Sequence, residues 1–170
     1  GEGSKWNAIP LDVPKLKRIV AAWQGAIDWN TLFLGNHDQP RVVSRFGDTS
    51  SEELWKRSAK CLATLMYLQR GTPFIYQGEE LGMTNAPFET REQLRDVEEL
   101  NLLALCSSEA ELEWAWRGIK AKGRDNARTP MQWSAGKNAD FTTGEPWIML
   151  NPNYTDINAE AEEGDPDSIL

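Results

Sequence analysis

Thr31-Leu32-Phe33-Leu34-Gly35 and Thr72-Pro73-Phe74-Ile75-Tyr76 are short apolar runs on either side of a helical pattern, and together they decide the fold. Neither run alternates apolar with polar residues, which is typical of strands buried on both faces in a parallel sheet. Between them, apolar residues recur at helical spacing over 52–70, and a Ser-x-x-Glu capping box at 50–53 predicts the start of that helix. Strand, helix and strand form a βαβ unit, so we predict two parallel strands, at 31–35 and 72–76, with a right-handed crossover.

Helices are also predicted on both sides of this unit. Upstream, an aspartate suited to the N-cap position begins a helix over 12–24, with a proline in its first turn. Downstream, two further capping boxes at 90–93 and 108–111 predict helices over 91–105 and 109–121. The remaining sequence is rich in Gly, Pro, Asn and Asp, and no third buried strand of this type follows.

Two parallel strands make a poor sheet on their own, because parallel strands need neighbours and cover on both faces. The segment Asp165-Pro166-Asp167-Ser168 is typical of a helix N-terminus, yet the sequence stops at Leu170, which indicates a cut chain. We therefore predict an α/β chain that is a fragment of a larger sheet or barrel. Its strands would expose apolar faces and unpaired edges, so we expect the isolated chain to associate with copies of itself.

Composition excludes several classes of function. The 170 residues carry 18 Lys and Arg against 26 Asp and Glu, a net charge of −8, so nucleic acid is not an expected partner. No apolar run reaches the roughly 18 residues of a membrane span, so a membrane is not expected either. Two cysteines, Cys61 and Cys106, cannot form a disulfide framework, which favours free thiols and a cytoplasmic location. Eight tryptophans fit either a core of large rings or stacking on sugar faces.

Polar clusters follow both predicted strands, at the edge where parallel α/β sheets and barrels build their sites. The first cluster is Asn36-His37-Asp38, which contains the single histidine of the chain, and the second is Gln77-Gly78-Glu79-Glu80. Asn and Asp also favour turns, and an isolated histidine commonly satisfies a local hydrogen bond. The residues alone therefore leave both interpretations open, a turn and a functional site.

Five motifs carry a resemblance to a known family. FLGNHDQPRVVSRFG at 33–47 and GTPFIYQGEELGM at 71–83 resemble the seventh and eighth strands, with their loops, of the α-amylase family of glycoside hydrolases. RDNARTPMQW at 124–133, GEPW at 144–147 and NPNY at 151–154 are similar to its oligo-1,6-glucosidase and α-glucosidase subgroup. Because the five motifs occur in order over nearly the whole chain, the chain is identified as a member of this family.

The resemblance implies a (β/α)8 TIM barrel. Residues 1–83 would supply its helix 6, strand 7, helix 7 and strand 8, and residues 84–170 would form a helical insertion and loop region that leads to helix 8. The segment around Glu79 and Glu80 is mainly architectural in the family. Family members hydrolyse α-glucosidic bonds with retention, which requires a nucleophile and an acid about 5–5.5 Å apart. The segments that carry those two residues do not occur in this sequence, so the isolated chain is expected to be inactive.

The resemblance also assigns roles to five residues of this sequence. Asp38 matches the third catalytic carboxylate, which grips the hydroxyls of the sugar that is cleaved, and His37 matches a donor to the same sugar. Arg124 and Arg128 lie in a motif whose arginine closes the glucose pocket; Arg124 is favoured for that role, and Arg128 as the anchor of the loop. Glu98 resembles the position that meets the leaving-group sugar. The prediction includes no metal ligand and no cofactor.

The resemblance implies that the parent protein removes glucose from the non-reducing end of short α-1,6-linked oligosaccharides. One alternative is trehalose-6-phosphate hydrolase, but residues 84–123 offer no obvious basic patch for a phosphate beyond Arg117, Lys120 and Lys122. Another is a sucrose isomerase, whose arginine-rich loop is not matched by the hydrolase-like sequence at 41–45. A third is a non-catalytic relative, a class that tends to lose the catalytic carboxylates.

Overall fold

A computed structural model describes residues 3–170; Gly1 and Glu2, the start of the predicted barrel segment, lie outside the described residues. Strands β1 (Asn30–Leu32) and β2 (Gly71–Pro73) pair in parallel, with Asn30 opposite Gly71. The predicted parallel pairing is therefore confirmed.

The strands are shorter than predicted, and the apolar residues that follow them are exposed. Each has three residues, so the ladder ends before residues 33–35 and 74–76. Phe33, Phe74 and Ile75 are 54%, 57% and 51% exposed, as expected for strands of a fragment that lacks their neighbours. The reason is that, among residues 3–170, each strand has a single neighbour in the two-stranded sheet, so its outer edge is unpaired.

Helix α1 (Val13–Ala26) begins after Asp12, whose carboxylate accepts a hydrogen bond from the Lys15 N–H at 2.8 Å, as predicted. Helices α2 (Val42–Phe46) and α3 (Glu52–Tyr67) follow. The N-cap of α3 is Ser51, and not residue 50, because Ser51 has extended backbone and its hydroxyl accepts from the Leu54 N–H.

Helix α3 also ends three residues earlier than the predicted end at residue 70. The side chain of Gln24, on α1, accepts from the Arg70 N–H at 3.0 Å and donates to the Arg70 carbonyl at 2.9 Å. These bonds satisfy the Arg70 backbone outside a helix and tie the end of α3 to α1.

The predicted helix over 91–105 is divided into two elements. The capping box at Thr90 is present, but it opens only a 3-10 turn over Arg91–Gln93. Helix α4 (Val97–Leu105) begins after Asp96, whose carboxylate accepts from the backbone N–H groups that follow it. Leu94 is extended between the two elements, and Asp96 therefore becomes the N-cap that starts the longer helix.

Helix α5 (Glu109–Lys122) matches the prediction over 109–121, and a short helix α6 (Ala159–Glu163) was not predicted. Further 3-10 turns connect the C-terminal region, at Arg124–Ala127, Lys137–Asp140 and Pro152–Thr155. No helix among residues 3–170 has the length and apolar character needed to cross a membrane.

Two hydrophobic clusters hold the chain together. One lies around α4 and α5 and includes the fully buried Phe88 and Ile119. The other joins α2 and α3 to the loop that follows β2, through Val43, Trp55 and Met83. Met131 and Ile157 also belong to the second cluster, which therefore packs the C-terminal region against the helices that flank the strands.

The tryptophans include buried and exposed members. Trp6 and Trp55 are buried in the clusters. Four others have large exposed fractions and lie at positions 23, 29, 133 and 147. Both cysteines are free thiols, as predicted.

Candidate functional site

The loop after β1 fixes the backbone of Asp38 and leaves its carboxylate accessible. The Asn36 side chain accepts from the Asp38 N–H at 2.8 Å, which is an Asx turn. His37 Nε2 lies 3.2 Å from Asp38 Oδ2, and the two side chains are 71% and 47% exposed. The turn interpretation and the site interpretation are therefore compatible, because the turn is what presents the carboxylate.

Two guanidinium groups meet the Asp38 carboxylate from the 3-10 turn at 124–127 and the residue after it. Arg124 Nη1 lies 3.3 Å from Asp38 Oδ1, and Arg128 Nη2 lies 3.4 Å from the same oxygen. Arg128 Nε also donates to the carbonyl of His37 at 3.2 Å. The motif at 124–133 and the motif at 33–47 thus form one cluster.

Arg41 and Tyr76 connect this arginine turn to the strand ends. The buried Arg41 guanidinium donates to the carbonyl of Gln77 at 2.6 Å and to that of Asn126 at 3.1 Å. The Tyr76 hydroxyl donates to the carbonyl of Ala127 at 2.9 Å. These bonds place the turn at the carboxyl ends of β1 and β2, where the sequence predicts a site.

Glu79 and Glu80 act within the turn after β2. A Glu79 oxygen accepts from the Tyr76 N–H at 3.3 Å, and a Glu80 oxygen accepts from the Gly78 N–H at 2.8 Å. Neither contact involves the Asp38 cluster, which agrees with the architectural interpretation of this segment.

Glu98 lies at the edge of the same cluster. Its Oε2 atom is 2.5 Å from Lys5 Nζ and 3.7 Å from Arg124 Nη2, and its side chain is 41% exposed. The five predicted site residues are thus joined by contacts of 3.7 Å or less, with Arg124 as the shared neighbour of Asp38 and Glu98.

Asp96 is a member of the cluster that sequence reasoning missed. Its side chain is 1% exposed, and it accepts from Arg128 Nη1 at 2.7 Å and from Arg124 Nη2 at 3.1 Å. Burial opposes the ionised form, but hydrogen bonds from Arg124 and from the backbone N–H of Glu98 outweigh it and lower the pKa of Asp96. The hydrogen bond to Asp96 in turn raises the pKa of Arg124.

Behind Asp96 lie two more buried carboxyl groups. Asp125 Oδ2 accepts from the Arg95 N–H at 2.6 Å and the Asp96 N–H at 2.9 Å, and Glu99 Oε1 accepts from the Asp125 N–H at 3.1 Å. Burial raises the pKa of Glu99 to about 7, and the charges of Asp125 and Asp96 add to this. Glu99 Oε2 has no hydrogen-bond partner among the described residues, which disfavours its ionised form further.

Asp96, Glu99 and Asp125 have carboxylate oxygens within 4.8 Å of one another, a spacing that a metal ion could bridge. Both oxygens of Asp96 already bind guanidinium or backbone N–H groups, however, and so does one oxygen of Asp125. The two arginines supply the positive charge that a cation would bring. The Asp96 carboxylate therefore anchors the two arginines, and we assign no metal to these three carboxyl groups.

Comparisons with known proteins identify the family of the chain. The family model for the α-amylase catalytic domain matches residues 1–170. Probable oligo-1,6-glucosidase 2 of Bacillus subtilis (strain 168) is 51% identical over 170 residues, which are 97% of this chain and 30% of that protein.

Solved structures from the same family also match the chain. The crystal structure of Bacillus licheniformis trehalose-6-phosphate hydrolase is 48% identical, with a TM-score of 0.92 over 99% of this chain and 31% of that one. A trehalulose synthase mutant is 47% identical, with a TM-score of 0.88 over 96% of this chain and 30% of that one. This chain thus spans less than a third of the length of these relatives. It belongs to the α-amylase family of glycoside hydrolases, in the oligo-1,6-glucosidase and α-glucosidase subgroup, and is a fragment of that family's barrel.

Proposed function

We propose that the full-length protein that carries this segment is a retaining α-glucosidase that removes glucose from the non-reducing end of short α-1,6-linked oligosaccharides. The observation that carries the proposal is the half-exposed Asp38 carboxylate, held beside His37 and two guanidinium groups at the carboxyl ends of parallel strands. That edge is where barrel enzymes build their active sites.

Asp38 would act as the third carboxylate of the reaction. Its exposed oxygen lone pairs can accept hydrogen bonds from the 2- and 3-hydroxyls of the glucose unit. Bonds to the 2-hydroxyl strengthen in the oxocarbenium-like transition state, so they lower the barrier as well as aiding binding. His37, with a side chain 71% exposed, would donate to the same sugar.

The two arginines would have different roles, one in the sugar pocket and one in the loop. Arg124 contacts Asp38, Asp96 and Glu98, and its guanidinium can hold a carboxylate and a sugar hydroxyl at once. Arg128 also bonds the backbone of His37, which suits a residue that anchors the loop. Glu98 would meet the leaving-group sugar from the edge of the cluster.

The nucleophile and the acid would come from parts of the barrel outside this chain. We assign α1 to barrel helix 6, β1 to strand 7, α3 to helix 7 and β2 to strand 8, all within residues 1–83. Residues 84–170 would be the insertion and loop region that leads to helix 8. The free thiols of Cys61 and Cys106 support a cytoplasmic location for the protein.

A second candidate is trehalose-6-phosphate hydrolase, because a solved enzyme of that name matches this chain with a TM-score of 0.92. Against it, the basic residues available for a phosphate are few. Arg117 lies 4.0 Å from Glu113 on α5 and is partly engaged there. Sucrose isomerisation is a third candidate, supported by the trehalulose synthase match.

The test is to measure kcat/KM of the full-length protein on isomaltose, maltose, trehalose-6-phosphate and sucrose side by side. We expect isomaltose to give the highest value, with glucose as product. A Glu53→Gln variant, which removes an exposed ion pair to Arg57, is the matched control and should leave the values unchanged. A preference for trehalose-6-phosphate, or conversion of sucrose to an isomer, would favour the corresponding alternative. No turnover of any substrate would indicate a non-catalytic relative.

A further inference from the structure

We propose that Asp96 is a positioning residue for the sugar site, which holds the guanidinium groups of Arg124 and Arg128 in place against Asp38. The proposal rests on the proposed function for its kinetic consequence, but the anchoring itself is a property of the fold. The resemblance to the family assigned roles to both arginines and to Glu98, and it assigned none to Asp96.

The geometry is that of one buried carboxylate shared by two cations. Arg128 Nη1 donates to Asp96 Oδ2 at 2.7 Å, Arg124 Nη2 donates to Asp96 Oδ1 at 3.1 Å, and Arg124 Nε lies 2.8 Å from Oδ2. The contacts of the same two guanidinium groups with Asp38 are longer, at 3.3 and 3.4 Å. Each guanidinium is therefore held most firmly by Asp96, and one of its remaining nitrogens faces the Asp38 carboxylate.

Differences in exposure support this order. The Asp96 side chain is 1% exposed, whereas that of Asp38 is 47% exposed. An ion pair in water contributes little, and a buried, hydrogen-bonded pair contributes much more to the position of its partners. Asp38 alone could not fix two long arginine side chains, but Asp96 can.

Asp96 is itself rigidly placed. Its Oδ1 atom accepts from the Glu98 N–H at 2.8 Å and the Glu99 N–H at 3.3 Å, which caps α4. Its own N–H donates to Asp125 Oδ2 at 2.9 Å. The residue is thus fixed to the start of α4 and to the buried Asp125, and its carboxylate in turn fixes the two guanidinium groups.

Loss of the Asp96 charge would leave two guanidinium groups with Asp38 as their main carboxylate partner. They would then compete with the sugar hydroxyls for the oxygens of Asp38. Displacement of positioned groups by about 1 Å can cost a factor of roughly 100 in rate, so we expect kcat/KM to fall at least ~10-fold in Asp96→Asn.

The test uses Asp96→Asn in the full-length protein. Asparagine caps helices as well as aspartate does, so α4 should persist while the charge is lost. The matched control is Asp12→Asn, since Asp12 is an exposed N-cap that accepts from the Lys15 N–H at 2.8 Å on α1. The control should keep the wild-type kcat/KM and melting temperature.

A second readout does not depend on activity. Labelling with an arginine-selective dicarbonyl reagent, followed by peptide mass mapping, measures how firmly each guanidinium is held; Arg117, 70% exposed, serves as internal standard. In Asp96→Asn we expect labelling of Arg124 and Arg128 to rise at least ~3-fold, because both lose charge-assisted hydrogen bonds. In Asp12→Asn it should not change.

The outcomes separate the two proposals. Wild-type labelling rates in Asp96→Asn, or raised labelling with kcat/KM within a factor of two of wild type, would overturn the role of Asp96. If the wild-type protein hydrolyses no α-glucoside, raised labelling in Asp96→Asn would still support the anchoring, while the proposed function would be refuted. If Asp96→Asn does not fold, Arg128→Lys replaces it in the labelling experiment. If Asp96 anchors Arg124, Arg124 should keep its wild-type labelling rate in this variant. A raised rate would show that the two arginines hold each other and would overturn the proposal.

Discussion

Arg124 Nη1 lies 3.3 Å from Asp38 Oδ1, although 86 positions separate the two residues in the sequence. The contact joins the loop after β1 to the turn after α5, and it is the centre of the candidate site. Its consequences can be measured in the full-length protein, where the rest of the barrel is present.

Asp38→Asn should lower kcat/KM by at least ~100-fold, because a charge-assisted bond that tightens in the transition state is weakened. The substitution is nearly isosteric, so the melting temperature should change little. Asp48→Asn, at an exposed position between α2 and α3, is the control for loss of one negative charge. Activity of Asp38→Asn within a factor of about three of wild type would show that Asp38 is only a turn residue.

Arg124→Lys and Arg128→Lys should have different effects, one mainly on activity and the other mainly on stability. Lysine keeps the charge but cannot hold a carboxylate and a sugar hydroxyl with one planar fork. Arg124 contacts Glu98, which would meet the leaving-group sugar, as well as Asp38 and Asp96, so its replacement should mainly lower kcat/KM. Arg128 also bonds the His37 carbonyl, so its replacement should mainly lower the melting temperature. Kinetics and thermal melts of both variants test this, and the opposite ranking would reverse the two assignments.

Glu99→Gln should change how stability depends on pH. Burial raises the pKa of Glu99 from 4.5 to about 7, so between these values the folded chain keeps a proton that the unfolded chain releases. The contribution of Glu99 to the free energy of unfolding is thus largest below pH 4.5 and declines as pH rises to 7, by at most ~3 kcal/mol. Glutamine carries no ionisable proton and avoids this loss.

Urea unfolding of the full-length protein at pH 4 and pH 8 would test the Glu99 prediction. From pH 4 to pH 8, the free energy of unfolding of Glu99→Gln should rise relative to that of the wild type. Glu113→Gln, an exposed substitution on α5, should track wild type at both. A difference between Glu99→Gln and wild type that stays constant with pH would contradict a raised pKa.

The isolated chain should associate with copies of itself. Phe33 and Phe74 are 54% and 57% exposed beside a two-stranded sheet whose outer edges are unpaired. Light scattering should show a dimer or larger species, and Phe33→Ser with Phe74→Ser should reduce it. Leu105→Ser, at a residue 79% exposed at the end of α4, should not. A strictly monomeric chain that melts cooperatively at high concentration would be the contrary result.

The isolated chain should also lack glycosidase activity. The loss of a nucleophile alone typically forfeits several powers of ten in rate, and the proposed chemistry needs an acid as well. Release of glucose from isomaltose by the purified chain, with host enzymes excluded, would contradict the assignment of those two groups to other parts of the barrel.

The sequence by itself determined the local structure and the identity of the family. The apolar runs at 31–35 and 72–76 predicted the parallel pair, because apolar runs without polar alternation are typical of strands in parallel sheets. Asp12 predicted the start of α1, because capping depends on one side chain and the turn beside it. The motifs at 33–47 and 124–133 predicted four residues that the structure brings into one cluster, and the resemblance to the family added Glu98.

The tertiary structure alone decided what holds that cluster together. In the sequence, Asp96 is one acidic residue among several, and its place as an N-cap was hidden by the capping box at Thr90. Its contacts with Arg124 and Arg128 span 28 and 32 positions, and those of the arginines with Asp38 span 86 and 90. No local pattern encodes such distances, since they follow from how α4, the arginine turn and the strand ends pack. Burial then fixes the charges, because a carboxylate removed from water is ionised only where donors such as two guanidinium groups surround it.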